Sequence, residues 1–240
     1  MPRSFERSPA DLRPVEFQRH FVKHAPGAVL ASFGDTRVLC TATYTDGVPH
    51  WLRDKGQGWM TAEYAMLPAS TNTRKSRDRA GKVDGRSVEI QRLIGRSLRA
   101  VVDLKKMTER TVWIDCDVIQ ADGGTRTTAI SGAYVALYDL FTAMDKKRLL
   151  RDWPLRAQLG AVSVGVVGGE VLCDLDYSED SKAEVDMNLV MTSAGEFVEV
   201  QGSAEGRTFT GDQLNGMLEA GRAGIERIFG VQRTALEIEG

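Results

Sequence analysis

Apolar and polar residues alternate through VEFQRHFV, GAVLASFG and TRVLCTATYT, with turn signals at Gly27 and at Gly34 and Asp35. A period of two is the mark of strands half-buried on one face, so these segments predict an antiparallel meander. WMTAEYAML adds a strand closed by Pro68, whereas PASTNTRKSRDRAGKVDGR has no apolar period and reads as a mobile loop. From Ser87 to Val101 the period lengthens: Val88, Leu93, Ile94, Leu98 and Val101 share roughly one helical face, and Arg92, Arg96 and Arg99 lie on another. TVWIDCDVIQ returns to strand alternation and runs into ADGGTRTTAISGAYVALYDLF, an apolar helix. The order then recurs, with strands AVSVGVVGGEVL, EVDMNLVMTS and EFVEVQGSA and a closing helix from Gly211 to Phe229, capped by Thr210 or Gly211. Strands followed by helices, twice over, predict an α+β fold of two similar halves, about 1–155 and 156–240, forming a single domain over 1–240.

Composition narrows the picture without deciding it. A chain of 240 residues, 42% hydrophobic and 27% charged, has enough apolar material for a real core. A net charge of −2 argues against a protein that coats nucleic acid by bulk charge. The balance is uneven, however: twelve Lys and Arg stand against five Asp and Glu between Arg74 and Arg110. Cys40, Cys116 and Cys173 are too few and too far apart for a disulfide framework or a zinc site, and read as reduced, buried thiols. MPRSFERSPADLRP has no apolar core of a signal sequence and no membrane-length apolar run occurs, so a soluble, cytoplasmic protein is expected, with no membrane partner. His20, His24 and His50 lack metal-ligand spacing.

Three stretches carry chemistry. From Asp174 to Asp186 six carboxylates (Asp174, Asp176, Glu179, Asp180, Glu184 and Asp186) face one cation, Lys182. Such a run is either a solvated loop or, because it is wedged between two strands, a cluster whose repulsion is relieved by a cation or a shared proton. In DGGTRTTAISGA, Gly123 and Gly124 free the backbone at the mouth of a helix, where Thr125, Thr127 and Arg126 add donors. Exposed amides at a helix N-terminus attract anions, and the stretch reads as an anion cradle or, alternatively, as a glycine turn with a threonine cap. It lacks the Gly-Lys-Ser/Thr ending of a P-loop, which disfavours nucleoside triphosphate hydrolysis. Finally, Arg86 at a helix start, Arg92, Arg96 and Arg99 along it, and the basic loop TRKSRDRAGK form a path for a phosphate backbone. An anion cradle, a basic path and a carboxylate cluster together suit phosphoryl transfer on a nucleic-acid chain.

ADLRPVEF, SFGDTRVLCTAT, GRSVEIQRLIGRSLRA, DGGTRTTAISGA and LDYSEDSKAEVDMN, in this order and spanning about Arg3 to Leu236, resemble the bacterial ribonuclease PH family. The resemblance implies a ribosomal protein S5 domain 2-like fold and a phosphorolytic 3′ to 5′ exoribonuclease that trims tRNA precursors and other RNA 3′ ends, reversibly. It further implies inorganic phosphate as co-substrate, Mg²⁺ or Mn²⁺ as cofactor, and a homohexamer built as a trimer of dimers. By the same resemblance Arg86, Gly124, Thr125 and Arg126 bind phosphate, Asp180 and Asp186 are catalytic and hold the metal, and Arg74, Arg77, Arg92 and Arg96 guide RNA. Two alternatives use the same residue types: a hydrolytic, metal-dependent nuclease, and a ring subunit that binds RNA without catalysis.

Overall fold

The computed structural model describes residues 3–77, 84–204, 206 and 208–238. The predicted meander forms as β1 (Val15–Arg19), β2 (Gly27–Phe33) and β3 (Thr36–Asp46), joined in a five-stranded sheet by β4 (Trp59–Met66) and β5 (Arg110–Gln120). The sheet order is β1-β2-β3-β5-β4, and β4 runs parallel to β5 on the edge. A parallel neighbour needs a crossover, supplied by α1 (Gly85–Ala100), which packs on β4. Helix α2 (Thr125–Lys146) follows β5 directly and packs on β2 and β3.

A second sheet, β7-β6-β8-β9, is antiparallel throughout: β6 (Leu159–Val167), β7 (Glu170–Cys173), β8 (Val185–Thr192) and β9 (Phe197–Ala204). The stretch expected as one strand, AVSVGVVGGEVL, is a hairpin, because Gly168 and Gly169 take positive φ values of 60° and 82° and reverse the chain. Between β7 and β8 the acidic run contains one helical turn, α3 (Tyr177–Asp180). Helix α4 (Gly211–Leu236) closes the chain with Thr210 as its N-cap and runs past the expected stop at Phe229.

Both sheets share one apolar core. β6 is buried from Leu159 to Val166, with α2 and α4 both packed against it. Gly160, Val162 and Val164 face α4, where a Cβ on Gly160 would meet Ile225 and Phe229 and one on Gly221 would meet Val164. By the strand period of two, Ser163 therefore faces the opposite way, toward the start of α2. On β8, Leu189 touches α4 at Gly221, so Asp186 and Asn188 share the face of Ser163. All three cysteines are buried and unpaired. Among the described residues no helix is long and apolar enough to cross a membrane.

Candidate functional site

Where the two halves meet, a cleft of about 250 Å³ is lined by Arg86, Gly124, Thr125, Arg126, Ser163, Asp180, Ser181, Ala183, Asp186 and Asn188. Its floor is the second sheet, where Ser163 on β6 is the cross-strand partner of Asn188 on β8, which in turn faces Gln201 on β9. Asp186 stands one step along, opposite Ser203.

The wall contributed by the first half is the start of two helices. Gly124 is the N-cap of α2 in a left-handed conformation (φ 62°), and no side chain caps the helix. The threonine cap that the sequence allowed is not formed: the Thr127 and Thr128 hydroxyls donate to the Gly124 carbonyl at 2.8 and 2.9 Å rather than accepting from helix amides. The amide end of a 22-residue helix thus opens into the cleft with no side-chain acceptor of its own, as an anion site requires. Gly123 is needed for a second reason, since at φ 75° a Cβ there would sit 2.5 Å from the Leu175 carbonyl oxygen. Arg86 lies in the first turn of α1, behind the N-cap Asp84, which accepts from the Arg86 amide.

Two further residues hold this wall, and neither was singled out by sequence reasoning. The buried Tyr64 hydroxyl donates to Thr125 Oγ1 at 2.9 Å; burial pushes the phenol pKa up, against the pull of that hydrogen bond. Gln201 accepts from Arg126 Nη1 at 3.1 Å while its own amide donates to Glu89 at 2.9 Å, so the Arg126 fork is aimed from across the half-to-half junction. A strand period of two places Gln201 on one face of β9, but nothing local signals that this face meets α1 and α2.

Facing this wall are the carboxylates, and the acidic run divides. Asp174, Asp176 and Glu179 are buried, and their relief comes from three arginines near the N-terminus. Arg13 pairs with Asp174 at 2.7 Å, Arg3 with Glu179 at 2.6 Å, and Arg7 reaches Asp176 and Glu179 at 3.5 and 3.3 Å. Asp176 and Glu179 also form a reciprocal capping box around α3. Burial alone would raise the Asp176 pKa, but hydrogen bonds from Ser4, Ser178 and the Glu179 amide, with Arg7, hold it below the usual carboxylate range. At Asp176, then, the hydroxyl and amide hydrogen bonds first, and the Arg7 guanidinium after them, outweigh burial. Asp180 and Asp186, by contrast, lie in the cleft.

Two carboxylates and the Asn188 amide are hard oxygen donors, and among the described residues no group of three or more His, Cys, Asp and Glu is arranged to hold a metal. That set fits Mg²⁺, which keeps several waters and binds through one or two carboxylates together with substrate phosphates.

The arginines expected to guide RNA do not line this cleft. Arg92 and Arg96 border a separate pocket with Gln91, Gly95, Arg99, Thr61 and Ala62, and Arg96 forks onto Glu199 at 2.6 and 3.1 Å. Arg74 and Arg77 are exposed; the rest of the predicted loop, 78–83, lies outside the described residues.

Two family models match the chain: "3′ exoribonuclease family, domain 1" over residues 11–142 and "domain 2" of the same family over residues 157–224. The chain belongs to the 3′ exoribonuclease family. Solved structures agree on the fold, which is the two-part α+β fold of the ribosomal protein S5 domain 2-like type. Rrp46 from rice (Oryza sativa) superposes with a TM-score of 0.78 at 20% identity, over 98% of this chain and 100% of that one. A chain of the Archaeoglobus fulgidus exosome with RNA bound to the active site gives 0.79 at 21% identity, over 95% and 91%. A chain of an archaeal exosome core gives 0.74 at 20% identity, over 96% and 89%. In this member of the family the cleft is built by both family domains, with Arg86, Thr125 and Arg126 from the first and Asp180 and Asp186 from the second.

Proposed function

We propose that this protein is a phosphate-dependent 3′ to 5′ exoribonuclease of the ribonuclease PH type, trimming tRNA precursors and other RNA 3′ ends in the cytoplasm. One observation carries the reading: a single cleft sets a helix N-terminus and two arginines against two carboxylates. A hydrolytic nuclease needs the carboxylates but has no use for an extra anion site beside them.

Arg86, Arg126 and the Thr125 amide and hydroxyl hold inorganic phosphate. Its oxygen forms a bond to the phosphorus of the terminal nucleotide, and the bond from that phosphorus to the 3′ oxygen of the preceding nucleotide breaks. A nucleoside diphosphate leaves, and the proton that hydrogenphosphate gives up in forming the new bond ends on the 3′ oxygen of the shortened RNA. Two anions must meet in this step, so neutralising charge is the main task, and donors fixed before the reaction perform it without reorganisation. Asp180 and Asp186 hold Mg²⁺ (or Mn²⁺), which when bound offsets charge on the scissile phosphate. Asp180, at the end of a single helical turn, passes the proton to the 3′ oxygen, while Asp186 is fixed within β8. Metal ligation and proton donation compete for one carboxylate, and a Mg²⁺ titration of Asp180→Asn separates them: a lost ligand raises the Mg²⁺ requirement, whereas a lost donor lowers kcat at saturating Mg²⁺. Because the product is a phosphoanhydride, the reaction also runs backwards, adding nucleotides from diphosphates. Arg74, Arg77, Arg92 and Arg96 lead the RNA toward the cleft. The working unit is a homohexamer, a trimer of dimers, in keeping with the exosome assemblies that share the fold.

The test is an RNA with an extended tRNA-like 3′ end, incubated with the protein and Mg²⁺, with and without phosphate. Nucleoside diphosphates appear only with phosphate. Monophosphates formed without phosphate indicate hydrolysis, and RNA binding without release indicates a non-catalytic ring subunit. Light scattering gives a mass six times the 26.4 kDa chain.

A further inference from the structure

Arg13 is fully buried, does not line the cleft, and bonds to the segment that leads into each of its walls. Its Nε and Nη2 fork onto Asp174 at 3.0 and 2.7 Å, and its backbone amide donates to the same carboxylate at 2.8 Å. Its remaining nitrogen, Nη1, donates to the Asp122 carbonyl. Asp122 begins the turn Asp122–Gly124 that forms the anion cradle, and Asp174 begins the segment that runs through α3 to Asp180. The two segments also meet directly, through the Tyr177 amide donating to Asp122 Oδ1 at 3.3 Å. A Cβ on Gly124 would lie 3.1 Å from Arg13 Nη2, so the guanidinium sits immediately behind the N-cap of α2. Asp174 is a non-glycine residue in the left-handed region (φ 57°), a conformation kept only where the surroundings impose it.

We propose that Arg13 and Asp174 are positioning residues that fix the anion cradle at its working distance from Asp180. A buried ion pair is a poor way to gain stability, because apolar residues of similar volume do as well or better once both charges are removed. A planar fork does something apolar residues cannot: it dictates direction to two loops at once. Arg19 and Asp139 offer an internal contrast. They form an equally close pair, at 2.7 Å, but it ties β1 to a point about 20 Å along α2 from Thr125. That pair bonds to neither segment of the cleft.

The proposal rests on the phosphorolytic reading, and the experiment keeps the two apart. Arg13→Lys, Asp174→Asn, the double variant Arg13→Met with Asp174→Asn, and Arg19→Met are compared with the wild type. Each is measured for Tm, for kcat and phosphate KM well below its Tm, and for inorganic phosphate binding by calorimetry. Arg13→Lys, the mildest change, keeps the charge but loses the fork, so a folded protein remains to be assayed. A misplacement near 1 Å costs up to about 10² in rate. We expect kcat to fall at least tenfold in Arg13→Lys and in the double variant, and phosphate affinity to weaken at least tenfold. Removing both charges should return Tm toward that of the wild type, while kcat stays low. Arg19→Met should lower Tm and leave kcat unchanged. If kcat recovers together with Tm in the double variant, the pair is merely structural and the proposal is overturned. If the wild type releases no diphosphates, the phosphorolytic reading fails, and calorimetry then decides: unchanged phosphate affinity in the double variant, or none in the wild type, overturns the positioning role as well.

Discussion

Arg126 shows how a single side chain in the cleft is held from across the junction between the halves. Gln201 takes one of its N–H groups at 3.1 Å, and Glu89, whose carboxylate lies 3.8 Å from the guanidinium, is itself held by Gln201. The guanidinium is thus oriented by an amide from across the junction, whereas Glu199 grips Arg96 through two bonds. Arg126→Ala is expected to abolish most phosphate-dependent degradation, on the order of 10² or more, with a matching loss of phosphate affinity. Initial rates against phosphate concentration check this, and a rate that still saturates normally would take Arg126 out of the cradle. Across the cleft, Asp180→Asn and Asp186→Asn preserve shape and remove charge. Each should cost on the order of 10² in kcat, as expected for lost electrostatic catalysis, with RNA binding at low salt little changed. Single-turnover rates alongside filter binding distinguish this from a folding defect.

Elements were legible wherever their determinants are local. Period-two alternation placed the meander, the shift to a helical period placed α1, and a run of Ala, Ile, Val and Leu placed α2, because each pattern needs only neighbouring residues to be read. The expected end of α4 at Phe229 is overrun and the helix continues through Gly230, since Gln232 and Leu236 extend the buried stripe of Ile225 and Ile228. A glycine costs the helix about 1 kcal/mol, which packing of two further core positions outweighs. What could not be read is pairing at a distance. The parallel register of β4 beside β5, the approach of Gln201 to Arg126, and the neutralisation of Asp174, Asp176 and Glu179 by Arg3, Arg7 and Arg13 all join segments far apart in sequence. Cradle and carboxylates were each visible as motifs; that they meet in one cleft was expected from the chemistry they share and from the family resemblance, not from any local pattern. The basic loop makes a prediction of its own kind. Shortening 71–82 removes Arg74, Lys75 and Arg77 from a stretch that borders no part of the cleft among the described residues. KM for long RNA should therefore rise several-fold, with a shallower salt dependence, while phosphate KM stays put. Equal effects on both would argue against a guiding loop.

At the scale of the whole molecule, charge is arranged so that acid acts on stability in two opposite ways. On the open face of the first sheet, burial pushes the Asp115 carboxyl up, with Glu63 and Asp117 adding to it, and Asp117 is raised by burial and by Glu63. For these two groups the folded state binds protons more readily than the unfolded chain, so their cost to stability is present at neutral pH and is relieved as pH falls toward the ordinary value of 3.8. Asp176 has the reverse sign. Its folded value lies below 3.8, so it contributes stability above that pH and loses it as pH falls through the folded value. Asp115→Asn with Asp117→Asn should therefore raise Tm at pH 7, and the gain should shrink to nothing near pH 4. Asp176→Asn, which can still cap α3, should lower Tm at pH 7, and its deficit should close only below about pH 4. Thermal melts of the three proteins between pH 3 and pH 8 test both signs together. Parallel curves for the wild type and both variants would mean that neither cluster titrates with folding; difference curves of opposite sign that converge in acid are what the hydrogen-bonded Asp176, and the unrelieved Asp115 and Asp117, require.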